Sequence, residues 1–326
     1  MKAEILALLR DRNDYVSGQE LCEHFGVSRS SVWKAVGQLK KEGYRIEAVR
    51  NRGYLLQAED EIYGLYELES RMDTRWAGHP VSFYDTLGST NLQAKLDAEK
   101  GAGHGTLVVA DMQTAGRGRR GRMWSSPAGT NVYCTLILKP DFGPGLTSMV
   151  TLVMGLAVAE GIRRTCGAES GIKWPNDIVV NGKKVCGILA EMSMERDFVH
   201  YMVVGVGINV GMQGFDPEIA DKATSLIREC GHGVSRTGLI VNVMKAFEDC
   251  YQVFQEKGNL SGLLARYNGL SVNIGREVRV LDPKGEFRGV SRGINEAGEL
   301  LVEREDGQVT NVYAGEVSVR GICGYV

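Results

Sequence analysis

The chain has 326 residues, a length that suggests two or three domains. Its composition, 43% apolar and 24% charged, is that of a globular protein, and no run of about 18 apolar residues predicts a membrane span. The net charge of -2 excludes a protein that coats nucleic acid over its whole surface, so DNA binding would need a local basic patch. Seven scattered cysteines without a C-x-x-C, and a start that does not resemble a signal peptide, predict free thiols in a cytoplasmic protein.

Residues 1–62 carry the pattern of a winged helix-turn-helix. Ser17 and Glu20 form a capping box that begins one helix, and Gly26 marks a turn. Ser28 begins the next helix, in which Val32 is the first residue of an apolar face with a helical period. A helix, a short turn and a second helix are typical of DNA-binding modules whose second helix enters the major groove.

The segment after these helices alternates like a β-hairpin, with residues 50–52 at its tip, and predicts a basic wing. Residues 29–52 contain seven basic and two acidic side chains, a local charge of 7 − 2 = +5 in a chain of -2. Positive charge on a reading helix and wing suits contacts to DNA phosphates. A winged helix can also serve as a protein-interaction module, and that alternative stays open here. The candidate DNA contacts are Ser28, Arg29, Ser30, Ser31, Lys34, Arg50 and Arg52.

An acidic linker over residues 57–66 precedes a central region that mixes strands and helices. Strands are predicted at 81–84, 106–110, 131–138, 172–174, 177–180, 185–189 and 201–206, with an Asn181-Gly182 hairpin turn. A helix is expected after residues 88–91, a long apolar core helix at 146–166 and an amphipathic helix at 237–255. Residues 212–226 are expected to form a mobile loop. Five short apolar segments at 278–281, 287–293, 300–303, 309–312 and 317–319 predict a small barrel.

Residues 116–122, with the sequence GRGRRGR, are the most informative stretch of the chain. Glycine lets the backbone approach a ligand closely, and arginine supplies forked, always charged donors for phosphate or carboxylate. The stretch also matches G-x-G-x-x-G, the dinucleotide fingerprint, but no continuing helix follows it, as that fingerprint requires. A solvated basic loop or nucleic-acid patch is the other alternative. The pattern favours a loop that closes on an anionic ligand.

The arginine loop, together with Trp124 and the sequence KWPND at residues 173–177, resembles the biotin–protein ligases. With the N-terminal module, the chain is similar to the bifunctional form that is also the biotin operon repressor. The resemblance covers essentially the whole chain. It implies an α+β multi-domain protein: a winged helix-turn-helix at 1–62, a mixed α/β ligase domain of the biotin/lipoate ligase type at 63–271, and an SH3-like barrel at 272–326.

The reaction that this resemblance implies has two steps. Biotin and ATP, with Mg²⁺ expected, form biotinyl-5′-AMP, and a lysine of the biotin carboxyl carrier protein, a subunit of acetyl-CoA carboxylase or similar, then takes the biotin. Step one joins two anions and so needs fixed positive charge. Step two needs a neutral amine, and a free lysine is neutral in only about one molecule in 2,500 at pH 7. No metal ligands can be assigned from the sequence.

The resemblance also implies roles for individual residues. Of the neighbours Lys183 and Lys184, which strand alternation would point to opposite faces, Lys184 matches the family's lysine. Without the resemblance, Asp177 could be a turn residue, Trp124 a core aromatic and Asn209 a turn residue, while capping alone would explain Ser89 or Thr90. The catalytic candidates are Arg119, Lys184 and Asp177. The biotin candidates are Ser89, Thr90, Asn91, Gln113, Arg117, Gly118, Arg119 and Lys184, and the ATP or adenylate candidates are Arg119, Arg122, Trp124 and Asn209.

The resemblance further implies a sensor, in which biotinyl-AMP orders loops, promotes a homodimer and allows binding to operator DNA. Two alternatives are a ligand-sensing winged-helix transcription factor without ligase activity and a lipoate ligase or octanoyltransferase of the same fold class. The first would not require Asp177 and Lys184 beside an arginine loop. For the second we expect an arginine-serine-glycine-glycine motif and no winged helix.

Overall fold

The structure is a computed structural model that describes residues 1–57, 62–196, 198–281, 285–313, 318–321 and 325. The chain divides into two compact units, Met1–Asp73 and Thr74–Val326. The predicted acidic residues 59–61 lie outside the described residues, and so does residue 317 of the last predicted strand. The three domain ranges expected from the sequence remain predictions.

The first unit is built on three helices, α1 (Lys2–Arg12), α2 (Gly18–Phe25) and α3 (Arg29–Lys41). The caps are those expected, since the Ser17 side chain accepts from the Glu20 N–H and the Ser28 side chain from the Ser31 N–H. Gly26 adopts a left-handed conformation that ends α2. Helix α4 (Leu65–Arg71) packs against α1. The helices enclose an apolar core of eleven buried residues: Ile5, Leu6, Leu9, Val16, Leu21, Val32, Ala35, Val36, Leu39, Tyr44 and Ile46.

The predicted wing is present as an antiparallel pair, β1 (Ile46–Val49) and β2 (Gly53–Leu56). Its base is joined to the helices by reciprocal backbone hydrogen bonds between Val16 and Tyr54, of 2.8 and 2.9 Å. Gly53 is required at this junction because its φ is 111° and a Cβ would lie 2.0 Å from the Val16 carbonyl oxygen. The hairpin is therefore fixed to the helices from which it extends.

The second unit contains a seven-stranded mixed sheet. In chain order its strands are β3 (Val81–Leu87), β4 (Leu107–Gln113), β5 (Val132–Leu138), β6 (Ser170–Lys173), β7 (Asp177–Val180), β8 (Lys183–Glu195) and β9 (Phe198–Ile208). The spatial order is β3-β4-β5-β9-β8-β7-β6, with β3 and β4 parallel and the other pairs antiparallel. Asn181 and Gly182 form the expected two-residue turn, both with positive φ.

Helices cover the two faces of this sheet. Helix α5 (Thr90–Glu99) packs on β4, β5 and β9, while α6 (Thr147–Cys166) packs on β6 and β8 beneath α8 (Arg236–Lys257). The short helices α7 (Leu226–Cys230) and α9 (Leu264–Leu270) belong to the same unit. Val203 packs against residues of α5. Val206 follows three residues later in β9 and pairs with Ile188, whose side chain lies near Gly155 of α6. Strand alternation therefore places the two helical layers on opposite faces.

Helix α6 is the described segment that bears on whether the chain crosses a membrane. The segment Pro144–Cys166 is long and apolar enough to cross a membrane, but most of it is buried within the protein. It is a core helix, as expected from the sequence, because it lies between the sheet and α8.

The remaining strands form a five-stranded antiparallel sheet. They are β10 (Glu277–Leu281), β11 (Phe287–Ile294), β12 (Leu300–Glu303), β13 (Val309–Val312) and β14 (Ser318–Gly321), in the spatial order β13-β12-β11-β10-β14. Each of the five segments predicted from the sequence corresponds to one of these strands, with residue 317 outside the described residues. Buried aliphatic side chains from several of these strands, such as Val278 and Leu300, form its interior.

The contact between α6 and α8 predicts opposite effects for two glycines of α6. A Cβ at Gly161 would lie 2.6 Å from Val243 Cγ2, whereas a Cβ at Gly155 meets ordinary contacts of 3.8 Å or more. We expect Gly161→Ala to lower the free energy of unfolding by about 1–3 kcal/mol through overpacking. The matched Gly155→Ala should be neutral or raise it by up to ~1 kcal/mol through helix propensity. Urea unfolding of the full chain measures both, and equal effects would contradict the packing described.

Candidate active site and nucleic-acid interface

The arginine loop follows β4 and is folded back on itself. Gly118 donates its N–H to the Arg122 carbonyl at 2.7 Å, and Trp124 donates to the Gly116 carbonyl at 2.9 Å. Gly116 has no room for a side chain, because a Cβ would lie 2.5 Å from the Trp124 carbonyl oxygen. Arg117 and Arg122 are exposed. The loop therefore presents several guanidinium groups from a closely packed backbone.

Arg119 connects this loop to the KWPND segment. Its Nη1 donates to Asn176 Oδ1 at 3.0 Å, across 57 residues of sequence. Burial lowers the pKa of Arg119, and the nearby charge of Asp177 acts in the opposite direction. The group still carries its charge, because arginine stays protonated in proteins. The two motifs that were singled out in the sequence thus meet at this side chain.

Asp177 and Lys184 form an ion pair at the centre of the site. Lys184 Nζ lies 2.6 Å from Asp177 Oδ1, and both side chains are largely shielded from solvent. The same ammonium lies 5.4 Å from the centre of the Trp124 ring. The structure thus brings together three residues that were predicted separately. Of the two neighbouring lysines, Lys184 is the one that makes this ion pair.

Glycines of β8 and β9 form the floor beneath Trp124. Gly187 pairs directly with Gly207, and Gly187 also lies opposite Asp177 in the β7–β8 ladder. A Cβ at Gly207 would lie 2.7 Å from Trp124 Nε1, and one at Gly187 would lie 3.1 Å from the indole ring. These glycines were not among the predicted site residues. The sequence does show a polar residue, Asn209, shortly after Gly207, but it does not show which residue of β8 faces Gly207, because that depends on the register of the sheet.

Three of the predicted biotin residues, Ser89, Thr90 and Asn91, lie at the start of α5, and Thr90 and Asn91 belong to one hydrogen-bonded group with Gln113 of β4. Gln113 Oε1 accepts the Thr90 N–H at 2.9 Å, and Gln113 Nε2 donates to Ser126. The Thr135 hydroxyl lies 2.8 Å from Thr90 Oγ1 and 2.7 Å from Asn91 Oδ1. Ser126 and Thr135 were missed, because single polar residues in strands and loops carry no distinctive sequence signal.

Ser89 does not act as the helix cap that its sequence position alone would predict. It occupies the N-cap position of α5, but its side chain makes no capping hydrogen bond. The Thr90 N–H is instead satisfied by Gln113 of β4. A side chain from the neighbouring strand thus binds the first free N–H group of α5, and the buried Ser89 hydroxyl caps none of the others.

Glu191 is a further residue at this end of the site. Its carboxylate accepts from Asn91 Nδ2 at 2.8 Å and from Lys95 Nζ at 2.6 Å. Burial opposes its ionisation, but these hydrogen bonds lower its pKa overall, with a smaller contribution from the charge of Arg117. Asn91 is therefore oriented by the carboxylate of Glu191 as well as by Thr135.

Asn209 joins the end of β9 to residues 223–226. Its Nδ2 donates to the Thr224 carbonyl at 3.2 Å, and its carbonyl accepts from the Leu226 N–H at 3.0 Å. Residues 222–224 also bond the backbone of Lys184 on both sides, at 2.8 and 2.9 Å. Residues 212–226 were predicted to be a mobile loop, and the C-terminal end of this segment is therefore held by hydrogen bonds to Lys184 and Asn209.

The candidate DNA-binding residues lie together in the first unit. Ser28, Arg29, Ser30, Lys34, Arg50 and Arg52 are exposed, and Ser31 is partly buried. Arg29 bonds Gln19 Oε1 at 2.9 Å, and the Arg52 guanidinium lies 4.0 Å from the centre of the Tyr15 ring. Between the start of α3 and the hairpin tip is a cleft of about 450 Å³, lined by Arg29, Arg50 and Arg52. The unit thus presents a basic groove beside the reading helix.

Among the residues that the structure describes, no three His, Cys, Asp or Glu side chains are grouped as metal ligands. The described side chains therefore do not form a metal site of the kind in which the protein supplies three or more ligands.

Three family matches cover most of the chain. Residues 2–55 match an HTH domain, residues 86–209 the Biotin/lipoate A/B protein ligase family, and residues 274–320 the Biotin protein ligase C terminal domain. The Bifunctional ligase/repressor BirA of Bacillus subtilis (strain 168) is 38% identical, over 94% of each chain. The BirA of Escherichia coli (strain K12) is 30% identical, over 97% of this chain and 96% of the relative.

A solved structure is similar as well. Biotin protein ligase from Aquifex aeolicus in complex with biotin and ATP has a TM-score of 0.66 and 32% identity, covering 74% of this chain and 98% of that one. The fold and the site define a biotin–protein ligase that carries an N-terminal DNA-binding module. The chain belongs to the BirA family of bifunctional ligase/repressors. The interpretation as a transcription factor without ligase activity is thereby set aside.

Proposed function

We propose that the residues around Arg119 carry out biotin activation and transfer in two steps. In the first, a biotin carboxylate oxygen attacks the α-phosphorus of ATP, giving biotinyl-5′-AMP and pyrophosphate. In the second, the acceptor lysine amine attacks the mixed anhydride, forming an amide and releasing AMP. The observation that carries this proposal is the 3.0 Å contact of Arg119 with Asn176, which joins the arginine loop to the KWPND segment.

Fixed cations serve the first step because two anions must approach each other. We assign Arg119 to the biotin carboxylate and the α-phosphate, Arg117 to the carboxylate side and Arg122 to the ATP phosphates. Gly118 lets the backbone approach the ligand. The support is the packed loop described above and the partial burial of Arg119, which strengthens its electrostatic effect.

The biotin ring would bind at the start of α5. Ser89, Thr90, Asn91 and Gln113 offer donors and acceptors in a buried setting, which suits a polar ring that is recognised by hydrogen bonds. The Ser89 hydroxyl supports the assignment because α5 does not use it as a cap. Trp124 would hold the adenine above the glycine floor, and Asn209 would bond it.

In this scheme Lys184 serves the first step and Asp177 serves the second. Anionic ligands draw the Lys184 ammonium towards themselves, and the carboxylate that it leaves can accept a proton from the acceptor lysine. Residues 212–226 and the arginine loop would exclude water from the reactive anhydride. We expect MgATP to be the nucleotide substrate. We place the reaction in the cytoplasm, where ATP is available.

The first test compares two neighbouring arginines. We expect Arg119→Gln to slow biotinyl-AMP formation by about 10²–10³-fold, as the loss of one preorganised donor does elsewhere. Arg120→Gln, the matched control, should change it little, since Arg120 is exposed and has no assigned role. The assay follows the label of α-labelled ATP with biotin and Mg²⁺. Equal losses in both variants would remove Arg119 from its role, and no adenylate from the unaltered chain would sink the mechanism.

We propose that the first unit binds operator DNA through α3 and the wing. The exposed candidates at the start of α3, Ser28, Arg29, Ser30 and Lys34, are placed to meet base edges or phosphates, and Ser31 completes the first turn. Arg50 and Arg52 would contact phosphates at the wing. We keep 1–62, 63–271 and 272–326 as the proposed domain ranges.

The basic wing predicts a salt-dependent effect. We expect Arg50→Ala to weaken binding to duplex DNA and to reduce the slope of log K against log salt by about one, because one phosphate contact is lost. Arg12→Ala, a control in the same unit, removes equal charge from the end of α1 and should leave the slope unchanged. Titrations of a mixed-sequence duplex at graded NaCl measure both. A common shift in both variants would point to net charge alone.

We further propose that biotinyl-AMP promotes a homodimer suited to a palindromic operator. Support comes from the position of residues 222–224, which are bonded directly to Lys184 and could transmit ligand contact to the loop before them. Sedimentation with and without biotinyl-AMP tests this. A shift towards dimer is expected, and an identical monomer–dimer equilibrium would contradict the proposal.

A further inference from the structure

Tyr325, which follows β14, lies on the catalytic carboxylate. Its hydroxyl donates to Asp177 Oδ2 at 2.5 Å, across 148 residues of sequence. Lys184 is paired with the other oxygen, Oδ1, at 2.6 Å. Each carboxylate oxygen thus has its own partner, one a cation at the ligand side and the other a phenol from the C-terminal segment.

Lys173 fixes Tyr325 in this position. Its ammonium lies 3.3 Å from the centre of the Tyr325 ring and donates to the Tyr325 carbonyl at 2.5 Å. Lys173 is only 6% exposed, and a buried ammonium is stable only when such partners are present. It also pairs directly with Asp177 in the β6–β7 ladder. Lys173 thus binds Tyr325 next to Asp177, whose carboxylate the Tyr325 hydroxyl contacts.

The turn between Lys173 and Asp177 is attached to the C-terminal part of the same unit. The Trp174 N–H donates to Asn273 Oδ1 at 2.8 Å, and its indole N–H donates to the Gly298 carbonyl at 3.1 Å. Val272 donates its N–H to the Ile172 carbonyl at 2.9 Å. These bonds leave little freedom for the KWPND segment to move relative to the strands that precede Tyr325.

We infer that Tyr325 is a positioning residue for Asp177 in the transfer step, an assignment that rests on the proposed role of Asp177. The phenol holds Oδ2, so that Oδ1 faces Lys184 and the ligand. When an anionic ligand draws Lys184 away, Oδ1 is the oxygen left to receive the acceptor amine. Adenylate formation does not use that oxygen and is therefore independent of Tyr325.

The protonation state of the phenol agrees with this arrangement. Burial and the neighbouring Asp177 charge both raise the pKa of Tyr325, with a smaller opposite effect from Arg122. The hydroxyl therefore keeps its proton and acts as a donor to the carboxylate. It does not compete with Asp177 as a base.

The test separates the two half-reactions in the full chain. Tyr325→Phe keeps the ring over Lys173 and removes only the hydroxyl. Tyr267→Phe is the matched control, a buried tyrosine of the same unit. Biotinyl-AMP formation is measured first, and transfer is then followed in single turnovers with a purified biotin carrier domain. We expect Tyr325→Phe to slow transfer by roughly tenfold, the scale of one hydrogen bond to a charged group, with adenylate formation unchanged.

Steady-state measurements add a second readout. For Tyr325→Phe, kcat with saturating carrier should fall while KM for the carrier stays the same, and Tyr267→Phe should match the unaltered chain. Unchanged transfer, or equal loss in both half-reactions, would overturn the positioning role. Faster transfer would overturn it too and would show that Tyr325 occludes Asp177. Absence of transfer by the unaltered chain is a separate result, since it would refute the proposed function itself.

Discussion

The ion pair of Lys184 and Asp177 is the interaction on which the rest of the site depends. It brings a cation and a carboxylate to 2.6 Å in a partly buried setting, where opposite charges satisfy each other before any ligand arrives. A ligand that carries phosphate or carboxylate competes for the same ammonium. In the scheme that we propose, the pair therefore links anion binding in the first step to the freeing of a base for the second.

The neighbouring elements hold this pair from several directions. The glycines of β8 and β9 keep the floor open for Trp124, and residues 222–224 fix the backbone at Lys184. Arg119 reaches Asn176, next to Asp177, from the arginine loop. Tyr325 and Asn273 hold the same turn, Tyr325 by a hydrogen bond from Lys173 and Asn273 by one from the Trp174 N–H. Loop, sheet and C-terminal strands thus converge on one short segment, which explains why the chemistry is encoded in motifs far apart in the chain.

Local features were the ones that the sequence could predict. The caps at Ser17 and Ser28 and the Asn181-Gly182 turn depend on a few adjacent residues, so their patterns are sufficient. Ser89 shows the limit, because it makes no capping hydrogen bond, and the first N–H of α5, that of Thr90, is bound by Gln113, 23 residues further along the chain. The contact of Tyr325 with Asp177 had no signal at all in the sequence, since it exists only after two distant segments have packed together.

The most direct measurement is a crystal structure of this chain with biotinyl-5′-AMP bound. We expect Lys184 Nζ to leave Asp177 Oδ1 for an anionic oxygen of the ligand, while Tyr325 still donates to Oδ2. That result would show that one ion pair couples ligand binding to the base of the transfer step. A bound adenylate held entirely by other cations, with Lys184 still 2.6 Å from Asp177, would contradict the account.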